Sequence, residues 1–593
     1  MTPLPGLRGA WWLALPRTAA NELEHHAPVV TRHPCGRPWV LGAPGPVTTA
    51  GAGAVRAVAI GELLAQEGEF AAALRAAAAC GDFDALMGFP GSYTVLVSAP
   101  GRMLLYCDAA GLRPLYTARC AHGVVAGDRA RLLAALAGAG LDEVWAAGRL
   151  CAPDVPSAIR TTRSPYRGVA PVPAGCRAVL GAEEPRARIA RYWHPPAPVL
   201  PLEEGARRVR AALAEAVAGR ARRSRDPVCV ALSGGMDSAA LAALAAEAVG
   251  PGRLRLVTLP SAASGDLPWA HKVAAHLGAP LEVLDDAPDL FAGLPGVLPT
   301  TDEPPPAAGA ARIARLARAA GSGPHLNGQG GDEVVGVPLA HLRHLVRAPR
   351  RGFLRHLRGH AALHNTTSAA LLRHASAPAS PSRWARTAAA HLDTAPDALG
   401  AAMGWEAHPR LASWATLRAR RLVAAALTHA PLNPWADLAT HAALARIRTS
   451  AAAAATYRQA MAGIGGPEPA FPFLDRPVVE ACLAVRPEAR SDPWRAKPLL
   501  AAALRPLLPD PVLERSTKAS YTTDVHQGWA RHRSHLLGLL SEPHLAQAGL
   551  VNADRLHGAL ERWGAAGPAP AYVTGLVGLE LWARSVLGEA VAC

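Results

Sequence analysis

The chain has 593 residues, too many for one hydrophobic core, so the length points to two to four domains. Half of the residues are hydrophobic, which excludes a mainly disordered chain, and the formal net charge is +15. Such a charge draws acidic peptides or polyanions. The Arg residues are scattered, however, and form no Arg/aromatic stripe, so a basic surface without any anionic partner fits equally and no nucleic-acid groove is expected. The cysteines are nine in number and form no CxxC pair, and no HExxH is present among the 23 His. Neither a disulfide framework nor a zinc site is therefore expected, and a cytoplasmic location fits. The first residues lack the basic-then-apolar order of a secretory signal, and no uncharged apolar run is long enough for a membrane span.

In chain order, residues 1–190 alternate short apolar runs with Gly/Pro turns. The runs 39–41, 93–98, 103–107, 124–126 and 177–180 read as strands, and 70–79 and 129–137 as helices. Residues 1–193 therefore make a β-rich α/β domain. The Pro-rich segment 194–201 (HPPAPVLP) can continue neither a helix nor a central strand, which puts a linker at 194–206 and a second domain at 207–593. Residues 202–221 carry apolar residues at helical spacing behind Glu203 and Glu204. Strands are then predicted at 228–232, 255–259 and 281–284, alternating with helices at 238–249, 269–277 and 307–320. A fourth strand ends at His325–Leu326. This alternation specifies a parallel α/β sheet. Beyond about residue 338 the pattern is mostly helical.

Two loops carry the chemistry. Ser233-Gly234-Gly235-Met236-Asp237-Ser238 joins a buried strand to an Ala-rich helix. Its glycines allow close backbone approach, and the helix offers free N–H groups and its positive end to an anion. Asp237 would repel phosphate unless it holds a magnesium ion that bridges to pyrophosphate. Asn327-Gly328-Gln329-Gly330-Gly331-Asp332-Glu333 follows the fourth strand, and Asp332 is a second candidate ligand for the same ion. No GxxxxGK[ST] loop is present.

The first loop resembles the SGGxDS loop of the ATP-pyrophosphatase superfamily, which cleaves ATP between its α and β phosphates. The pair of loops resembles the asparagine synthetase family. Further segments agree. Phe471-Pro472-Phe473-Leu474-Asp475 is similar to that family's VPFLD, Lys497 in DPWRAKPLL to its GK segment, and Leu513–Lys518 (LERSTK) to its RxK segment. Residues 108–116 (DAAGLRPLY) are similar to a stretch of its glutaminase domain. The resemblance implies a degenerate glutaminase-like (Ntn) α/β sandwich before an ATP-pyrophosphatase-type parallel sheet with a large helical portion. It also implies ATP and magnesium as cofactors, adenine against Leu232, Val257 and Gly328, and catalytic roles for Lys518 and Lys497.

Two departures narrow the expectation. The family's glutaminase uses an N-terminal cysteine, whereas Thr2 follows Met1 here and the first cysteine is Cys35, so no ammonia production is expected. Gln329 stands where asparagine synthetases have Glu. Residues 163–169, 172–175 and 191–193 resemble the end of the first domain in lasso-peptide macrolactam synthetases, members without that cysteine. The implied reaction is adenylation of an Asp or Glu side chain in a precursor peptide, then ring closure by the peptide's N-terminal amine. A leader-binding protein and a leader peptidase would be its companions. A β-lactam synthetase or other small-molecule amide ligase is the alternative, and a non-catalytic peptide- or nucleotide-binding scaffold is the reading from another class. Glu333, Asp302 and Glu303 are the candidate bases. The segment 343–358, with six Arg and no acid, reads either as a solvated helix face or as a peptide contact.

Overall fold

The computed structural model describes residues 7–19, 21–181, 184, 186–261, 265–298, 300–347, 352–394, 397–430, 432–517, 522–563 and 570–591. In the first part of the chain two six-stranded antiparallel sheets lie face to face. Strict alternation builds the layers. In the strand Trp11–Ala14, Trp12 and Ala14 enter the core between the sheets, while Leu13 faces outward into a second core. In Gly91–Ala99, Leu96 points between the sheets, and Tyr93, Val95 and Val97 point out onto the helix Glu69–Cys80, which meets them with Phe70, Leu74 and Ala77. The helix Ala130–Ala137 covers the opposite outer face. The result is a helix–sheet–sheet–helix sandwich.

The expected strands are present and somewhat longer, such as Pro38–Ala43 around 39–41. Others had no apolar run to announce them. Val47–Ala52 reads VTTAGA because it is an edge strand, half exposed, and is identified by its pairing with Val55–Leu63. The helix Leu202–Arg223 begins inside the segment 194–206. Acidic Glu203 and Glu204 open it and Arg220, Arg222 and Arg223 close it, matching its dipole. It buries Val209, Leu213, Ala216 and Val217.

The second sheet system is a five-stranded parallel sheet. Its spatial order is Leu281–Val283, Leu254–Thr258, Val228–Ala231, His325–Leu326, Pro469–Ala470. Val228 and Val230 face one core and Cys229 and Val257 the other. The chain starts in the middle strand, moves outward to one edge, then crosses back to continue on the other side. The order therefore reverses between Val228–Ala231 and His325–Leu326, and ligands of such sheets bind beyond the strand ends at that point.

The sandwich and the C-terminal helices share a core. Leu13, Trp145, Trp414 and Trp582 lie in one cluster, with the Trp145 and Trp582 rings 5.4 Å apart. The eight described cysteines are free, and no described helix is long and apolar enough to cross a membrane.

Candidate active site

Both predicted loops emerge at the switch point. Leu232 N donates to Val257 O at 2.8 Å, after which the chain turns through Gly234, whose φ is 81°. A Cβ on Gly234 would lie 2.4 Å from Asp266 O, so the turn requires glycine. The helix Met236–Val249 follows at once. Ser238 Oγ accepts from Ser233 N (3.1 Å) and donates to Gly235 O (3.0 Å), so the loop is closed by its own hydroxyl. Leu232 and Val257 are 0% and 1% exposed. Their side chains belong to the sheet's cores.

The second loop is held by Asn327 N on Ala470 O and by Gln329 N on Asn327 Oδ1, both 2.9 Å. A Cβ on Gly331 would lie 2.4 Å from Asp237 Cγ, so the two loops touch where the candidate magnesium ligand stands. Gly328 likewise packs on Asp237 and Ser238. Gln329 points away from this contact. Its Nε2 donates to Ser450 O at 3.2 Å, a bond that a carboxylate could not make.

Lys497 joins Asp237 to Asp332. Its Nζ lies 2.5 Å from Asp237 Oδ2 and 2.7 Å from Asp332 Oδ1. Burial would lower the pKa of this ammonium, but the two carboxylates outweigh burial and raise it. Its backbone sits at φ 46°, ψ 55°, a left-handed conformation that costs energy for a residue with a Cβ. Two carboxylates from separate loops thus face one cation, here the Lys497 ammonium, and Gly331 leaves room for the Asp237 carboxylate. That donor set fits a magnesium ion, which takes one or two carboxylates and completes its shell with water and phosphate.

The segment before Lys518 reaches the phosphate loop through Arg515, the Arg of the RxK match. Arg515 Nη1 donates to Gly234 O at 2.7 Å, its guanidinium pairs with Asp266, and it stacks 5.1 Å from the Trp269 ring centroid. Only the Arg of the RxK pattern hinted at this clamp; Asp266 and Trp269 carried no sequence signal. Lys518 itself lies outside the described residues.

Of the three candidate bases, Asp302 lines the smaller of two adjoining cavities. Its carboxylate accepts from Arg131 N and Gln459 Nε2. Glu333 is half buried, and its charge acts on Asp154. Glu303 lines both cavities, of about 650 and 620 Å³. Burial pushes its carboxyl up, opposed by Arg149 and Arg160 and aided by Asp302. The larger cavity is walled by Arg149, Asp154, Arg312 and Tyr457, and it opens near the end of the strand Leu254–Thr258 at Leu259. Tyr457 lies beside Asn327, whose side chain lowers the pKa of a phenol that burial raises, and this links the cavity to the second loop. Arg160, Glu303, Ala452 and Thr456 belong to both cavities.

Of the described arginines in the segment 343–358, Arg347, Arg355 and Arg358 are exposed, as a solvated helix face requires, and Arg343 is not. Arg343 is buried and donates to Met403 O and Ala377 O, and Arg355 pairs with Asp492. Residues 348–351 lie outside the described residues.

A model of the asparagine synthase family matches residues 208–584. The chain belongs to the asparagine synthase family. Carboxyethyl-arginine beta-lactam-synthase of Streptomyces clavuligerus is 33% identical over 189 residues, covering 32% of this chain and 34% of that protein. The alignment thus spans about a third of the length of this curated relative. Two solved structures also align. One is described as the allosteric regulatory enzyme of purine biosynthesis, at 10% identity over 47% of this chain and 74% of that chain. The other is glutamine phosphoribosylpyrophosphate amidotransferase from B. subtilis complexed with ADP and GMP, at 9% identity over 56% and 77%. Both have a TM-score of 0.19, which carries no argument about the site.

Proposed function

We propose that this member of the asparagine synthase family is an ATP-dependent carbon–nitrogen ligase that closes a macrolactam on a precursor peptide without using glutamine. The substrate's Asp or Glu carboxylate attacks the α-phosphate of ATP, the bond to pyrophosphate breaks, and an acyl-adenylate forms. The substrate's own amine then attacks the acyl carbon and expels AMP. The main chain at Leu232, Val257, Asn327 and Gly328 holds the adenine, and Ser233–Ser238 cradles the phosphates. Asp237 and Asp332 would hold magnesium, whose charge offsets that of the leaving pyrophosphate. Lys497, already between those carboxylates, supplies positive charge to the phosphates, and Lys518 is assigned the same task at the developing oxyanion. Glu303, in the cavity wall, takes the proton from the attacking amine. Glu333, next to Asp332 on the second loop, is the other carboxylate candidate for this base.

The observation that carries this reading is the pair of cavities of about 650 and 620 Å³ sharing four wall residues. Each is as large as a pocket that encloses a whole drug-sized ligand, roughly 300–1,000 Å³. Together they offer room for a peptide segment as well as for a small β-amino acid. The buried thiols of Cys107, Cys151 and Cys176 are pushed up, so none of these three is an activated nucleophile for glutamine. A cytoplasmic enzyme served by a leader-binding protein and a leader peptidase completes the proposal. The β-lactam-forming alternative draws support from the Streptomyces clavuligerus relative. The test is incubation with ATP, magnesium and a leader-free peptide, following AMP, pyrophosphate and loss of one water from the peptide mass. Turnover of a small β-amino acid with no peptide accepted overturns the macrolactam reading.

A further inference from the structure

Three histidines outside this site come together in the helical region after the second loop. His341 ends the short helix Leu339–His341, and His356 and His360 stand one turn apart on the helix Phe353–Leu363. All three are buried, at 1%, 8% and 7% exposure. One nitrogen from each ring lies within 4.8 Å of the others. His341 Nδ1 donates to Pro338 O at 2.9 Å, which fixes its tautomer and leaves Nε2 with a free lone pair. Among the described residues, His341 Nε2, His356 Nδ1 and both His360 nitrogens are buried without a hydrogen-bond partner. Buried polar atoms left unpaired are costly, and a cluster of them calls for a ligand.

The geometry points to a divalent transition-metal site, of the zinc class, formed by His341, His356 and His360 with an open fourth position. Imidazole nitrogens suit zinc and its neighbours. Tetrahedral zinc at about 2.0–2.1 Å from each nitrogen sets them roughly 3.3 Å apart, inside the 4.8 Å within which the three nitrogens lie. Burial lowers the pKa of all three rings and so keeps them neutral, the form that ligates. His364 stacks on His360 from the exposed side, 6.2 Å between centroids.

The position gives the ion a task. His341 follows closely on the helix Gly331–Val335, which carries Asp332. The helix Phe353–Leu363 packs on the segment leading to Lys497: Arg355 pairs with Asp492 at 3.0 Å, and a Cβ on Gly359 would lie 2.3 Å from Pro493. A metal at the three histidines fastens the backbone of the second loop to the backbone that presents Lys497. This assignment stands apart from the identity of the ligase's substrate.

The test uses the full chain, made without a histidine tag. Stoichiometric zinc in the purified protein is expected. Chelator-treated protein should take up Co2+ with the visible absorption of a tetrahedral nitrogen site, and added Zn2+ should displace it. Tm should fall on chelation and recover with Zn2+. His356→Gln and His360→Gln should lose the cobalt spectrum, and His364→Gln should keep it. Absence of metal together with no cobalt uptake overturns the site, as does an unchanged spectrum in His360→Gln. Should both variants fail to fold, zinc-edge X-ray absorption of the wild type decides: three imidazoles at about 2.0 Å are expected, and fewer overturn the proposal.

Discussion

Lys497 Nζ stands 2.5 Å from Asp237 Oδ2, so a lysine from a distant helix start is bonded to the carboxylate that opens the phosphate-loop helix. Three segments of the chain, around 237, 332 and 497, thus converge on one charged cluster. Removing the ammonium leaves two carboxylates facing each other and withdraws positive charge from the phosphates. Lys497→Met is expected to slow adenylate formation by about 100- to 1,000-fold, the cost of one preorganised donor. ATP–pyrophosphate exchange measures it, and a rate within a few-fold of wild type would remove Lys497 from the chemistry.

Gly331→Ala tests the room that the second loop leaves for the Asp237 carboxylate. The new methyl would meet Asp237 Cγ at 2.4 Å, and one of the two must move. Overpacking of this kind costs about 1–3 kcal/mol. Here it displaces a metal ligand, so the requirement for magnesium should rise by about tenfold or more while the melting temperature changes little. A magnesium titration of pyrophosphate release reads the effect.

The phosphate loop, the GQGGDE loop and their sheet were legible because each combines a local turn requirement with strand–helix alternation. Asp475 of the FPFLD segment was legible as a match only. Its role comes from the tertiary structure, where Arg220 binds it at 2.7 and 3.0 Å and also reaches Glu62 at 2.7 Å. The Arg515–Asp266–Trp269 clamp and the His341–His356–His360 cluster bring together residues far apart or oddly spaced in the chain. Searches for CxxC or HExxH cannot find a 15- and 4-residue spacing. Edge strands such as Val47–Ala52 were missed because half-exposed strands need no apolar run.

The Arg220–Asp475 pair predicts a stability effect. Both side chains are 1% exposed, and the pair ties the helix Leu202–Arg223 to the FPFLD segment, with Glu62 of the sandwich joined to the same guanidinium. Breaking one partner leaves an uncompensated buried charge. Asp475→Ala should cost about 3–5 kcal/mol of unfolding free energy. Denaturant melts check this, and the double variant Arg220→Met, Asp475→Leu should recover much of the loss.

Glu303 predicts a split between the two half-reactions. Its carboxyl is pushed up by burial, so it is protonated at acid pH and gains base strength as pH rises through a value above the ordinary carboxylate range of about 4.3. Adenylation needs no base and should lack this limb. Amide formation should show it below the limb set by the substrate's own amine. Glu303→Gln should keep ATP–pyrophosphate exchange and lower amide formation by about 100-fold or more. Equal loss of both half-reactions would assign Glu303 to the fold.

His325 predicts acid lability. It lies in the strand leading to the second loop, is 0% exposed, and has neither ring nitrogen hydrogen-bonded among the described residues. Burial lowers its pKa from 6.5 to about 4. The unfolded chain therefore binds a proton below about 6.5, whereas the folded chain does so only below about 4. Its contribution to stability is fully present above 6.5 and declines as pH falls towards 4, by about 3 kcal/mol at most. His325→Leu removes both the proton uptake and the unpaired nitrogens. The variant should melt at or above the wild-type temperature at pH 8, and its advantage should grow at pH 5. An advantage that stays constant between the two pH values would mean that His325 titrates alike in the folded and unfolded chains.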